Sequence, residues 1–213
     1  MKNSFEINPF TSRAKRLFDI VFASILLLLG ALAFPFISIA IKLNSTGPIF
    51  YQQLRVGRSY PNHTQLFQMI KFRTMNNNAE AKTGAVWAKD NDPRITSVGR
   101  CLRKTRLDEL PQLINVLKGE MSLIGPRPER PAFYRSYESD IPFFTERTFG
   151  VSPGITGFAQ VKQGYDSSIE DVRNKVGYDH SYALALSKPS TWLKMDLYII
   201  LATIAVIFKC KGQ

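Results

Sequence analysis

The chain has 213 residues and carries 28 Lys and Arg against 17 Asp and Glu, a formal charge of +11. That basic excess points to anionic partners: phospholipid headgroups, nucleic acid or phosphorylated substrates. Cys101 and Cys210 lie far apart, with no metal-ligand or disulfide spacing, and suit a reducing compartment. With His63 and His180 as the only histidines, a zinc site or a Ser-His-Asp triad is disfavoured.

In chain order, residues 1–12 are polar and predict a loosely ordered start. Arg13, Lys15 and Arg16 then precede the apolar run 17–43, LFDIVFASILLLLGALAFPFISIAIKL, which is uncharged over 20–41. The run matches the roughly 20 residues needed to cross a bilayer core. It exceeds a secretory h-region of about 7 to 15 residues, and no A-x-A-like site follows. The basic cluster places the N-terminal end in the cytosol. Pro35, about two thirds of the way along, removes a backbone donor and clashes with the preceding turn. If the helix breaks there and turns back, the basic domain beginning near residue 44 stays in the cytosol with its thiols. A kinked straight span would put that domain outside. A re-entrant hairpin is therefore the favoured reading.

Next, "TGPIFYQQLRVGR" predicts a short strand over IFYQQ, and "LFQMIKFRTM" predicts another. Residues 76–93 read as a polar loop, with asparagines at 76–78 and a turn at 89–93. Over 95–107, Arg100, Arg103, Lys104 and Arg106 recur with helical spacing. Residues 109–118 predict a helix closed by Gly119. "SPGITGFAQV" at 152–161 is a Pro-Gly turn feeding a strand or pocket loop. The apolar run 197–208 has only twelve residues, and with Lys194, Lys209 and Lys211 around it suits an interfacial helix lying on headgroups.

Asp108 and Glu109 stand side by side before the 109–118 helix. Taken alone, Asp108 reads as an N-cap, with Glu109 favoured by the helix dipole. The neighbours point further. Arg103, Lys104 and Arg106 precede the pair, and Arg127 follows in a corner stiffened by Pro126 and Pro128. A helix N-terminus among cations suits a phosphate group. Two carboxylates beside it become useful when one holds a divalent metal and the other attacks phosphorus.

"KFRTM" at 71–75, "LRKTRLDELPQLINVLKGEMSLIGPRP" at 102–128 and "SPGITGFAQV", in that order after a basic-flanked apolar segment, resemble the bacterial sugar transferase family of monotopic phosphoglycosyl transferases. The resemblance runs from about residue 15 to 208. It implies an α+β protein, with a re-entrant membrane helix-hairpin followed by a compact, mainly helical cytosolic catalytic domain that has a few short strands and interfacial amphipathic helices. The expected division is a basic segment 1–16, the membrane helix 17–43, the catalytic domain 44–192 and an interfacial helix 193–213. The implied activity moves a sugar 1-phosphate from a UDP-sugar to polyprenyl (undecaprenyl) phosphate, releasing UMP and starting a glycan. Such a glycan would be an exopolysaccharide, an O-antigen or a glycoprotein glycan.

The resemblance makes Asp108 the nucleophile of a covalent phosphosugar intermediate and gives Mg2+ to Glu109, with Asp108 at the same ion. It places Arg103, Pro126, Arg127 and Pro128 at substrate, with Lys71 and Arg73 as weaker candidates that solvated strand cations explain as well. The family's membrane segment bends at a Ser-Pro pair; here Phe34-Pro35 stands instead, so Pro35 alone supplies the break. Expected partners are the UDP-sugar, polyprenyl phosphate, membrane lipid and downstream membrane glycosyltransferases, with no nucleic acid; a homodimer is left open. The expected location is the bacterial inner membrane, facing the cytosol. A competing reading, a membrane-tethered module binding anionic lipid or nucleic acid through residues 94–106, explains the charge but not the carboxylates inside it. Nothing in the sequence separates a hexose from an N-acetylhexosamine donor.

Overall fold

The computed structural model describes residues 7–77, 79–80, 84, 92–164 and 168–208. Most of the polar loop read at 76–93, together with Lys209, Cys210 and Lys211, lies outside the described residues. Helix α1 (Pro9–Ala31) begins inside the stretch predicted to be loose. The reason is local: Asn8 accepts hydrogen bonds from the Phe10 and Thr11 amides at 2.9 and 3.3 Å, and Pro9 occupies the first turn, where a missing N–H costs nothing.

α1 stops short of Pro35, and α2 (Phe34–Asn44) leaves at a bend of 59°. Pro35 sits in the first turn of α2 rather than at the break itself. A helix continued through it would press the ring against the carbonyl four residues back, so the chain turns at 32–33. Around the bend Leu28, Leu29, Leu32 and Phe36 are exposed. Toward its start, α1 buries Thr11, Lys15, Asp19 and Ala23 in a stripe of period four.

The predicted strands form an antiparallel hairpin, β1 (Phe50–Ser59) and β2 (Thr64–Phe72), in which Tyr51 faces Lys71 and Gln53 faces Met69. α3 (Ser97–Thr105) is capped by Thr96, whose hydroxyl accepts from the Gly99 amide at 2.9 Å. A 3-10 turn, Leu107–Glu109, leads into α4 (Gln112–Lys118), which ends at Gly119 in the left-handed region, φ 84°, as the sequence predicts. Arg16 of α1 donates to the Val116 and Leu117 carbonyls at 2.6 and 2.8 Å, satisfying that helix end. Asn115 clamps α4 to β2, accepting from the Ile70 amide at 3.0 Å and donating to the Gln68 carbonyl at 2.8 Å. Phe67, Met69, Leu113, Val116 and Met121 pack with Ala23 of α1 into one core.

β3 (Ser122–Ile124) pairs in parallel with β4 (Gly154–Thr156). Between them lie α5 (Pro131–Asp140) and a 3-10 turn, Thr145–Thr148; α6 (Phe158–Lys162), α7 (Ile169–Ala185) and α8 (Pro189–Phe208) follow. The twelve-residue apolar run is thus part of a 20-residue helix. Lys194 and Asp196 interrupt its hydropathy without interrupting its helicity. The window Pro189–Ile207 is long and apolar enough to cross a membrane. One side of α8 is docked, however: Trp192, Asp196 and Ile199 are buried, and Thr203 shares a 2.8 Å hydrogen bond with Thr156. Leu193, Leu197, Leu201 and Ile204 face outward.

Asp196 is the hub of that docking. Its carboxylate accepts from Trp192 Nε1 at 2.7 Å, Tyr182 Oη at 2.9 Å and Lys15 Nζ at 3.2 Å. Asp19, one turn past Lys15, accepts from Ser122 Oγ and the Leu123 amide, both at 3.0 Å. The architecture is α+β: helices surround two small two-stranded sheets.

Candidate active site

A cavity of about 510 Å³ opens over the hairpin. Because successive strand residues point to opposite faces, Tyr51, Gln53 and Arg55 of β1 share a floor with Met69 and Lys71 of β2. The end of α3 and the 3-10 turn supply Arg103, Arg106, Asp108 and Glu109, and the Pro126–Pro128 corner supplies Arg127. Arg106 joins helix to turn in the left-handed region, φ 60°. A non-glycine residue there carries local strain, of a kind that clusters at functional sites.

The two carboxylates are both buried yet differently treated. Glu109 is surrounded by cations: Lys71 Nζ donates to Oε1 at 2.7 Å, Arg127 lies 3.6 Å from the same oxygen, and Arg106 lies 4.0 Å from Oε2. Burial alone would raise its pKa, but Lys71, Arg127 and Arg106 outweigh burial and hold it at about 2. Asp108 receives no hydrogen bond and no ion pair within 4 Å among the described residues. Burial raises its carboxyl above the usual aspartate range; Lys71 opposes this, and the Glu109 charge adds to it. The capping role that Asp108 taken alone suggests is not found. It lies within the 3-10 turn, the cap position of α4 is Pro111, and no side chain caps that helix.

The remaining candidates fall as follows. Arg103 lines the cavity and donates from Nε to Thr74 Oγ1 at 2.9 Å. Lys71 is at the centre, its pKa lowered by burial against the pull of Glu109. Arg73 touches the cavity but directs its guanidinium to the Thr46 and Ser45 carbonyls at 2.8 and 2.7 Å. Pro35 is in α2, away from the cavity lining. Lys104, adjacent to Arg103 in sequence, is exposed and does not line the cavity.

The Pro-Arg-Pro corner is held by its backbone. The Pro126 carbonyl accepts from the Gly154 amide at 2.8 Å, that of Arg127 from Arg147 Nη2 at 2.9 Å, and that of Pro128 from Arg55 Nη1 at 2.9 Å. This joins the two sequence motifs directly. Gly125 and Gly154 approach so closely that a Cβ on Gly154 would lie 2.1 Å from the Gly125 nitrogen. Such contact permits no side chain.

Sequence reasoning missed the ionic layer behind this corner. Glu129 accepts from Lys175 at 2.8 Å, and Arg147 pairs with Asp179 at 2.7 Å, both side chains fully buried. Burial favours a raised Glu129, yet Lys175 and Arg147 bring it to about 2. Lys175 and Asp179, four apart on α7, carry the signature of an ordinary surface pair. Only the position of Glu129 immediately after Pro128 could have drawn notice.

Among the described residues, no cluster of three or more His, Cys, Asp or Glu side chains forms a metal cage. Mg2+ is commonly held by one or two carboxylates, with substrate phosphates and water completing its octahedron. The hard oxygens of unpartnered Asp108 and adjacent Glu109 fit that mode.

A carboxylate pair sunk in a pocket of guanidinium and ammonium groups, on a domain carrying exposed apolar helices, defines a phosphate-handling protein. The family model of the bacterial sugar transferases matches residues 10–210, and this chain belongs to that family. It is 42% identical over 200 residues to the UDP-N-acetylgalactosamine-undecaprenyl-phosphate N-acetylgalactosaminephosphotransferase of Aeromonas hydrophila, covering 94% of this chain and 45% of that protein. It is 39% identical over 193 residues to the UDP-glucose:undecaprenyl-phosphate glucose-1-phosphate transferase of Caulobacter vibrioides, covering 89% and 68%. The exopolysaccharide production protein ExoY of Rhizobium meliloti is 34% identical over 222 residues, covering 97% and 91%. The chain thus spans less than half of the first relative and nearly all of the last.

Proposed function

We propose that this chain transfers a sugar 1-phosphate from a UDP-sugar to undecaprenyl phosphate through a covalent intermediate on Asp108. The observation that carries the reading is the buried Asp108 carboxylate, unpartnered beside Glu109 in a cavity lined by Lys71, Arg103, Arg106 and Arg127. An Asp108 oxygen attacks the sugar-bearing phosphorus, and the phosphoanhydride bond to UMP breaks. A lipid-phosphate oxygen then attacks the same phosphorus, freeing Asp108 and leaving a polyprenyl-diphospho-sugar. Lys71, Arg103 and Arg127 bind and orient the diphosphate and offset the charge that repels Asp108. Glu109, with Asp108 adjacent, would hold Mg2+, and the ion would supply Lewis-acid stabilisation of the departing phosphate. The relatives' names include glucose and N-acetylgalactosamine donors, so the sugar proposed is a hexose or an N-acetylhexosamine.

The site works at the cytoplasmic face of the inner membrane. Both ends of the α1–α2 pair attach to one domain, through Lys15, Arg16 and Asp19 on one side and through Asn44, which donates to Ser97 Oγ at 2.9 Å, on the other. That arrangement supports a re-entrant 17–43 segment with the 44–192 catalytic domain on the side where the chain entered. The docked side and the outward leucines of α8 support a helix lying in the interface, and membrane glycosyltransferases would extend the product.

The test incubates the purified chain with undecaprenyl phosphate and a panel of UDP-sugars. UMP release with at least one sugar is expected. With lipid omitted, a phosphosugar adduct is expected on the peptide containing Asp108. Absence of UMP release with every sugar would overturn the proposal.

A further inference from the structure

The cavity floor contains a hydrogen-bond chain that fixes one proton. Arg55 is half-buried; desolvation lowers its pKa to about 10, with Glu129 opposing, so it stays protonated at neutral pH. Its Nη1 donates to the Pro128 carbonyl at 2.9 Å and its Nη2 to Gln53 Oε1 at 2.5 Å. A guanidinium has donors only, so it decides which way the Gln53 amide points. The oxygen faces Arg55, and Nε2 faces Tyr51 Oη at 3.0 Å. Tyr51 oxygen therefore accepts, and its own O–H must point elsewhere. It donates no hydrogen bond among the described residues. Glu80, whose charge reaches Tyr51, gives both oxygens to Arg130 at 2.8 and 2.6 Å. Tyr51 lines the cavity and stands in register with Lys71, the residue that holds Glu109. Directly paired strand residues have Cβ atoms about 5 Å apart.

We infer that Tyr51 is a substrate-binding residue whose O–H, aimed by Arg55 through Gln53, donates to an acceptor oxygen of the UDP-sugar close to its diphosphate. The inference rests on the transferase reading and adds to it a substrate contact that charge alone does not provide. The acceptor oxygen belongs either to the nucleotide or to the sugar.

The test measures affinity of the purified full chain, with Mg2+, for UDP, UDP-glucose and UDP-N-acetylgalactosamine by displacement of a fluorescent uridine nucleotide. Tyr51→Phe removes only the hydroxyl of a half-exposed ring and should weaken binding about three- to tenfold, the scale of one neutral hydrogen bond. Gln53→Glu replaces the donor beside Tyr51 with an acceptor, which draws the phenol proton away from the ligand. It also adds a negative charge near a diphosphate, so its own loss is not diagnostic. The informative quantity is the double mutant: in the Gln53→Glu background, Tyr51→Phe should cost nothing further. Loss already with UDP puts the acceptor on the nucleotide; loss confined to the UDP-sugars puts it on the sugar. Equal affinities of native chain and Tyr51→Phe, or the same factor in both backgrounds, would overturn the inference. No displacement by the native chain would overturn the transferase reading itself, and this contact with it.

Discussion

Asp108→Asn keeps the volume of a buried side chain and removes its charge. In the folded chain burial raises the Asp108 carboxyl, and Lys71, Arg103 and Arg106 only partly offset burial and the adjacent Glu109 charge. The folded pKa therefore lies above the ordinary value of 3.8. An acid shifted upward destabilises the fold in its ionised form: the cost is absent below the unfolded pKa, grows as pH rises through the folded one, and is complete above it. Neutral Asn should thus stabilise the protein at pH 7 by about 0.5–2 kcal/mol, the usual gain from relieving a functional compromise. At about 2–4 °C per kcal/mol for a domain of this size, Tm rises by roughly 1–8 °C. Below pH 3.8 the gain disappears. Turnover should fall by roughly 10⁴–10⁶, the scale of losing a nucleophile, with no phosphosugar adduct. Differential scanning fluorimetry at pH 7 and pH 3 reads the first effect; UMP release and peptide mass spectrometry read the second. Near-normal turnover would refute the nucleophile, and a Tm lowered at pH 7 would refute the electrostatic account of the site.

Lys71→Met leaves Glu109 with only Arg127 at 3.6 Å and Arg106 at 4.0 Å, and should cost about 3 kcal/mol in thermal or denaturant unfolding. Glu109, held at about 2 against 4.5 unfolded, contributes about 3 kcal/mol that is present above pH 4.5 and lost as pH falls through 2; the Lys71→Met penalty should shrink over that window. Gly154→Ala should separate β3 from β4 and reduce stability by several kcal/mol, read as a loss of folded protein in detergent. Chelation by EDTA should abolish activity and Mg2+ restore it; full activity in chelator would remove Glu109 from its role. With Cys101 and Cys210 changed to Ser, single cysteines placed near residues 5 and 60 should both be protected from an impermeant thiol reagent in intact cells, whereas labelling at 60 alone would establish a span.

Local chemistry made part of this structure legible. The two strands followed from their apolar runs, though not their pairing; the end of α4 followed from Gly119, and the carboxylates' importance from the cations around them. The other features depend on contacts that sequence spacing does not encode. Asp108 looked like a cap because a carboxylate precedes a helical pattern; Pro111 delays the helix and leaves the carboxylate inside a 3-10 turn. α8 looked short because Asp196 and Lys194 lower the local hydropathy, while Asp196 is in fact satisfied by Lys15, far away in sequence. The basic run at 100–106 reads uniformly, yet Arg103 on α3 and the left-handed Arg106 line the cavity, while Lys104, one position round the helix from Arg103, remains outside.

The Lys15–Asp196 bond closes a loop of 181 residues, nearly the whole chain, and this has a consequence for biosynthesis. At 5–20 residues per second, translation delivers Asp196 on the order of ten seconds or more after Lys15. During that interval Lys15 has Asp19, 3.9 Å away on its own helix, as its near partner, and the Trp192 and Tyr182 anchors do not yet exist. α1 can therefore dock on α4 and β3, through Arg16 and Asp19, well before its last ionic partner has been made. A ribosome stalled ahead of residue 196 should leave Lys15 without its Asp196 partner, and a fragment beginning at residue 44 would retain the Asp196 carboxylate without its buried cation.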